Sequence, residues 1–237
     1  MPNPLIIITP VKDSLETTKE TIDHIYKAKG NFEYYIFNDF SSESTEKYLK
    51  THQEEKRYSL INLGDHVSTP SPNYKTVLQM ARKMALEQNT HLLIVESDVL
   101  VKTNTIQQLC ELAESLKNPG MIGSVTVDVD GTINFPYSHV SQSDPELFQT
   151  DRSLSFCCTL LTYPFLNSFD FTELNNEKDW YDVFISKTSR KLGFINYLAK
   201  NLPVIHKPHS SRPWKMEKYS NPIRYYFKKF FLKRDRI

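Results

Sequence analysis

Apolar residues arrive in short continuous runs separated by amphipathic stretches. Residues 5–9 (LIIIT) form an uninterrupted apolar run, the pattern of a strand covered on both faces. The next stretch predicts a helix opened by Asp13, with Glu16 three residues later at capping-box spacing. Its apolar face would be Leu15, Ile22, Ile25 and Tyr26. Residues 34–37 read as a second strand, 45–51 as a short helix after a serine-rich turn, and 59–63 as a third strand. A helix over 74–88 gathers Val77, Leu78, Ala81, Met84 and Ala85 on one side. Residues 91–95 (HLLIV) predict a fourth strand, and 103–116 a helix with Ile106, Leu109, Ala113 and Leu116 inward. Alternation of this kind implies an α/β fold with a mostly parallel sheet and helices on both faces.

The second half changes character. Residues 121–127 are strand-like, and Asp130-Gly131 is a hairpin signal leading into 132–135. Residues 153–162 form another β-leaning apolar run. Residues 182–192 read as a helix ending at Gly193 in the C′ position, and 204–206 as a short last strand. No internal repeat or low-complexity linker interrupts the chain.

Composition narrows the class. With 237 residues, 39% hydrophobic and only 6 glycines, the chain reads as one globular domain plus a tail. The expected division is a domain over 1–211, with a nucleotide-binding half (1–118) and an acceptor-side half (119–211), then a basic aromatic tail over 212–237. The formal charge of +1 argues against nucleic acid as a partner, which needs a basic surface. That total is segregated. Nine Lys/Arg against Glu217 and Asp235 give the tail +7, and the other 20 basic and 26 acidic residues leave −6 elsewhere. Cys110, Cys157 and Cys158 form no disulfide framework and suit buried positions in a reducing compartment. The run at 5–8 is too short for a signal peptide, and no stretch reaches the roughly 20 apolar residues of a spanning helix. The expected location is therefore cytoplasmic.

In open α/β sheets ligands bind beyond the carboxyl ends of the strands. Thr9, Pro10, Val11, Lys12 and Asp13 follow the first strand, Asn38, Asp39, Phe40, Ser41 and Ser42 the second, and Glu96, Ser97 and Asp98 the fourth. Carboxylates at adjacent strand ends repel unless a cation or donors lie between them. Asp13 is expected to be a helix cap. Asp39 has a polar role open to it, because Ser41 and Ser42 can cap the next helix. Glu96 and Asp98 form the leading metal or substrate pair, with Thr103 the better cap for the helix beyond.

At this point a resemblance becomes specific. Ile6, Ile7, Ile8, Thr9, Pro10 and Val11 resemble the "IIPVYN" strand of the family 2 glycosyltransferases, which have the GT-A fold. The segment from Asn38 to Thr45 is similar to that family's "DDGSTDGT" loop. Asn73 with Ala81 and Arg82 matches its "N-x-G…AR" helix segment, with Lys75 where glycine is usual. Glu96, Ser97, Asp98 and Val99 stand where the Asp-x-Asp metal motif falls. Trp180, Tyr181, Asp182 and Val183, eleven residues before Gly193-Phe194, resemble "WEDVD…GY", and Val204, Ile205 and His206 resemble "V-x-H".

The resemblance implies an inverting transferase that moves a sugar from a nucleotide-sugar donor to a saccharide or lipid-linked saccharide acceptor, in surface polysaccharide or glycoconjugate synthesis. It implies donor contacts at Thr9, Pro10, Val11, Asp39, Arg82, Glu96 and Ser97. Asp98 and His206 would hold the metal, Mn²⁺ ahead of Mg²⁺ because one ligand is an imidazole. His209 is an alternative ligand. Asp182 is implied as the general base, with Asp179 as its rival, since Tyr181 and Phe184 replace acidic residues of the motif. Two other readings remain open: a catalytically degenerate nucleotide-sugar-binding protein, and a sugar-phosphate nucleotidyltransferase. The second would want a glycine-rich phosphate loop that residues 9–13 lack.

In the tail, Pro222 could open a helix with Ile223, Tyr226, Phe227, Phe230 and Phe231 at helical spacing and Arg224, Lys228, Lys229, Lys233 and Arg234 around them. Such a helix either packs on the domain or lies on an anionic membrane at its inner face.

Overall fold

The alternation of strand and helix forms as the apolar pattern dictates. A computed structural model describes residues 3–69, 71–175 and 180–207. The chain runs β1 (Leu5–Val11), α1 (Leu15–Tyr26), β2 (Phe32–Asn38), α2 (Glu43–Thr51), α3 (Gln53–Lys56), β3 (Ser59–Asn62), α4 (Tyr74–Glu87), β4 (Leu92–Val95), β5 (Val99–Leu100) and α5 (Thr105–Ser115). Then follow β6 (Pro119–Val127), β7 (Leu147–Gln149), β8 (Cys158–Leu161), α6 (Tyr163–Ser168), α7 (Tyr181–Lys191) and β9 (Ile195–His206).

The strands make one sheet in the order β3-β2-β1-β4-β8-β6-β9-β5, with β7 also paired to β9. Strands β3, β2, β1 and β4 are mutually parallel. Antiparallel β8 sits between β4 and β6, so β6 and its parallel partner β9 run in the direction of β4. The carboxyl ends of β1, β2, β3, β4, β6 and β9 therefore share one rim. The expected mostly parallel sheet is what forms.

The period-two geometry of β1 serves two cores. Ile6 and Ile8 pack with Val77, Leu78 and Ala81 of α4. Leu5, Ile7 and Val11 face the other way, toward Ile22 and Ile25 of α1 and Ile106 and Leu109 of α5. A strand buried on both faces must read as a continuous apolar run, which is why the first strand was legible. Helix α7 lies against β6 and β9, and Gly120 permits that approach. A Cβ there would stand 2.1 Å from Ser189 Oγ and 2.7 Å from Phe194 Cβ.

Several local expectations are corrected. Asp13 does not cap α1. Ser14 is the N-cap residue, without a side-chain cap bond, and both residues have left-handed backbones, φ 57° and 55°. Asp13 instead accepts a hydrogen bond from Ser42 N (2.7 Å) and donates its own N–H to Ser41 Oγ (3.0 Å), so it ties the loop after β1 to the loop after β2. Tyr26 is exposed, with Lys56 and Arg57 over its ring, because α1 turns only Thr18, Thr21, Ile22 and Ile25 fully inward. Asn104, not Thr103, precedes α5. The Asp130-Gly131 turn closes through Asp128, whose Oδ1 accepts from Asp130 N and Thr132 N, but its return is a single bridge, Val127 with Ile133. The last strand is twelve residues long, not three. Gly193, with φ 86°, stands at C′ of α7 as expected. The tail, His209 and Asp179 lie outside the described residues. Among the described residues no helix is long and apolar enough to cross a membrane.

Candidate active site at the carboxyl rim

Four ionisable side chains meet where β4, β9 and α7 reach the rim. Residues 96–98 link β4 to β5, and β5 pairs antiparallel with β9 so that Val99 faces His206. That pairing sets Asp98 beside His206, and Lys207 N closes it by donating to Asp98 O (2.9 Å). His206 Nε2 lies 3.5 Å from Asp98 Oδ2, with both residues buried. The other ring nitrogen, Nδ1, is 2.8 Å from the carbonyl of Phe135. Burial opposes charge on the His206 ring, but hydrogen bonding to Asp98, its negative charge, the Phe135 carbonyl and the charge of Glu96 outweigh it. The ring's pKa is raised above the ordinary range.

Glu96 completes the wall. Burial first, then repulsion from Asp98, push its carboxyl up to about 7. Asp182 adds to the rise, while His206 and the Cys157 thiol oppose it. Cys157 Sγ is 3.5 Å from Glu96 Oε2, and burial together with the Glu96 charge holds that thiol protonated. Asp182 acts electrostatically on both Glu96 and Tyr137, so its carboxylate lies within electrostatic reach of this wall. The topology explains this. Helix α7 precedes β9 and runs back against it, so the first turn of α7 points to the rim where β9 ends. Asp182 sits in that first turn, half-buried, with Oδ1 accepting from Val183 N (2.8 Å). Backbone N–H groups at a helix start favour a carboxylate there.

The donor-side candidates are arranged less uniformly. Thr9 is fully buried and its hydroxyl accepts from Tyr34 (2.9 Å), so only its backbone could line a ligand. Pro10 is partly exposed on the rim, and Val11 is paired with Asn38, its carbonyl accepting from Asp39 N (2.8 Å). Ser97 is buried between Glu96 and Asp98. Asp39 is heavily engaged by the protein itself. Its Oδ2 accepts from Ser71 Oγ (2.7 Å) and Asn73 N (2.9 Å), and its Oδ1 from Asn73 Nδ2 (2.8 Å). It anchors the start of α4, a contact that spacing along the chain does not reveal.

Arg82 is not brought to the site. It lies nine residues beyond Asn73 on α4, roughly 13 Å down a helix that runs away from the rim. Its Nε donates to Leu166 O (2.9 Å), its guanidinium pairs with Asp170 (3.3 Å), and it stacks over Phe171. Its task is to dock α6 and the following turn onto α4. Lys75 does similar work nearer the rim, donating to the carbonyls of Leu174 and Thr172. Tyr181 is buried against Tyr74, whereas Phe184 is exposed.

Among the described residues no three His, Cys, Asp or Glu side chains form a metal cage by themselves. Asp98 and His206 nevertheless fit a divalent ion that takes its other ligands from a bound molecule. Ligands about 2.1 Å from one ion stand roughly 3.0–3.5 Å apart, the separation seen here. A hard carboxylate oxygen with one imidazole nitrogen suits Mn²⁺. The gap between them is one that positive charge fills, either a proton on Nε2 or a cation.

Comparisons with known proteins bear on the fold and the family. Among curated proteins, no sequence matches the chain significantly. Among solved structures, a mannosyltransferase, PcManGT, from Pyrobaculum calidifontis in complex with GDP-Man and Mn²⁺ superposes with a TM-score of 0.67. It has 13% identity, over 100% of this chain and 66% of that one. S. aureus TarS 1-349 in complex with UDP gives 0.66 at 13% identity, over 91% and 63%. GalNAc-T7 with UDP, GalNAc and Mn²⁺ gives 0.61 at 10%, over 86% and 44%. The chain thus spans two thirds or less of the length of these neighbours, and what they share with it is the fold. Residues 6–187 match the sequence profile of glycosyl transferase family 2, and it is to that family that the chain belongs.

Proposed function

We propose that the protein transfers a sugar, with inversion, from a nucleotide-sugar donor to a saccharide or lipid-linked saccharide hydroxyl. The observation that carries this reading is the convergence of Asp98, His206, Glu96 and Asp182 on one rim of the sheet. In support, the structural neighbours are described in complex with GDP-Man or UDP, two of them with Mn²⁺.

In this reading the base and ribose lie against the backbone of Thr9, Pro10 and Val11, with Asp39 behind them. Glu96 and Ser97 meet the ribose and the phosphate side. Asp98 and His206 would hold Mn²⁺ or Mg²⁺, which when bound neutralises the charge gathering on the leaving diphosphate. Asp182 accepts the proton of the acceptor hydroxyl as its oxygen attacks C1 opposite the diphosphate. The new O–C1 bond forms, the bond from C1 to the phosphate oxygen breaks, and the proton ends on Asp182. Burial of Glu96 and Asp98 keeps the local dielectric low, which strengthens each of these interactions.

The basic tail over 212–237 suits attachment to an anionic membrane at the cytoplasmic face, near a lipid-linked acceptor in surface polysaccharide synthesis. Liposome pelleting of the full chain against a version ending at Asn221 tests that part, and equal binding would remove it. The transferase reading is tested by release of nucleoside diphosphate from a panel of nucleotide sugars, with and without Mn²⁺. Release that requires Mn²⁺ and disappears in Asp98→Asn supports it. Neither binding nor release across the panel would refute it.

A further inference from the structure

The turn between β6 and the segment at Phe135 is built around His206. β6 and β9 run parallel with Thr126 opposite Val204 and Val127 opposite Ile205, so the chain leaving β6 passes beside the last residue of β9. After the Asp128 turn it doubles back. Asn134 N donates to Thr126 O (3.1 Å), and the Thr126 hydroxyl donates toward the carbonyls of Asn134 (3.3 Å) and Phe135 (3.2 Å). The Phe135 carbonyl then faces His206 Nδ1 at 2.8 Å, and Asn134 Nδ2 donates to His206 O at 3.1 Å. His206 is gripped at its ring and at its backbone by two consecutive residues, both located by one buried threonine.

This grip has a chemical consequence. A carbonyl can only accept, so Nδ1 must carry hydrogen, and the lone pair of the neutral ring is forced onto Nε2, the nitrogen 3.5 Å from Asp98. A partner that fixes the tautomer and ring plane of a ligating histidine typically changes metal affinity by about 10–100-fold. The hydrogen bonds of Thr126 run to Asn134 and Phe135, so it would act through those two residues.

We propose that Thr126 and Asn134 are positioning residues that hold His206 as the Nδ1–H tautomer with Nε2 presented to a divalent cation. The inference rests on the metal role proposed for His206. A second, metal-free readout separates failure of the two ideas.

The probe is Mn²⁺ itself, with UDP or GDP present, followed by the electron paramagnetic resonance signal of free Mn²⁺ on the full chain. Thr126→Val keeps the shape of the side chain and removes only the hydroxyl. It should weaken Mn²⁺ binding by about 10-fold or more, while Thr126→Ser, which restores the hydroxyl, stays within about 2-fold of wild type. Asn134→Ala, at a half-buried position, gives the same direction if the valine variant does not fold. In parallel, ¹⁵N-histidine NMR of the metal-free protein, at a pH where the ring is neutral, reads the tautomer. Wild type should show Nδ1–H, and Thr126→Val a mixture. A folded Thr126→Val protein with unchanged Mn²⁺ affinity and unchanged tautomer would overturn the proposal. Wild type that binds no Mn²⁺ with either nucleotide, yet loses the Nδ1–H tautomer in Thr126→Val, would retain the positioning and sink the metal role.

Discussion

Asp98 and His206 stand 3.5 Å apart at Oδ2 and Nε2, although one follows the fourth strand and the other ends the ninth. The short β5–β9 ladder brings them together. Replacing His206 by Ala removes one of the two side chains proposed to hold the ion. The expected result is at least 10-fold weaker Mn²⁺-dependent nucleotide binding, seen as loss of the Mn²⁺-specific part of the ligand-induced thermal shift. An undiminished shift would remove His206 from the metal site.

Asp182, the proposed base, acts electrostatically on Glu96 and Tyr137, and its Oδ1 accepts from Val183 N. Asp182→Asn should therefore lower kcat by about 10²–10⁴-fold while donor affinity changes little, the mark of an interaction made in the transition state. Steady-state kinetics with saturating donor decides it. An unchanged kcat would return the role of base to Asp179.

Glu96 has a folded-state pKa of about 7, above the carboxylate reference of 4.5. Between those values the folded chain holds a proton that the unfolded chain releases. Its contribution to stability therefore falls as pH rises through that window, and the full penalty stands above pH 7. Glu96→Gln should raise the melting temperature at pH 8 and flatten its dependence between about pH 5 and 7. Parallel melting curves for the two proteins across pH 5–8 would contradict the assignment.

Asp39 is read by resemblance as a donor contact, yet its oxygens accept three hydrogen bonds from Ser71 and Asn73. Asp39→Asn places an amide group against those donors and should cost about 1–3 kcal/mol. In a chain of this size that is a fall of about 2–12 °C in Tm, measurable without any nucleotide. Unaltered stability with weakened nucleotide binding would favour the donor role alone.

Gly120 lets α7, and with it Asp182, lie close to β6. Gly120→Ala drives a methyl into Ser189 Oγ and the Phe194 Cβ, overpacking that costs about 1–3 kcal/mol. Differential scanning calorimetry should show a lower Tm together with reduced turnover. A neutral effect on both would mean that α7 has slack to retreat.

Much of the fold was legible because its signals are local. The run at 5–9 had to be a doubly covered strand, and Val77, Leu78, Ala81 and Ala85 had to share one helical face. Local reasoning failed where two polar uses compete. Asp13 and Glu16 have capping-box spacing, but a better partner, Ser42 N, arrives from another loop. Arg82 entered the donor set through the resemblance alone, which carries no information on its partner. That partner, Asp170, is far along the chain.

The amino-acid sequence by itself determined which segments become strands and helices, and that carboxylates cluster after the first, second and fourth strands, because periodicity and strand-end composition are properties of neighbouring residues. Only the tertiary structure decided which of those carboxylates face one another. Register in the β5–β9 and β6–β9 pairs, set by packing across the whole sheet, delivers His206 to Asp98 and the Phe135 carbonyl to His206. Burial, which exists only once the sheet has closed, turns Glu96 from an ordinary acid into one that is half protonated near neutrality.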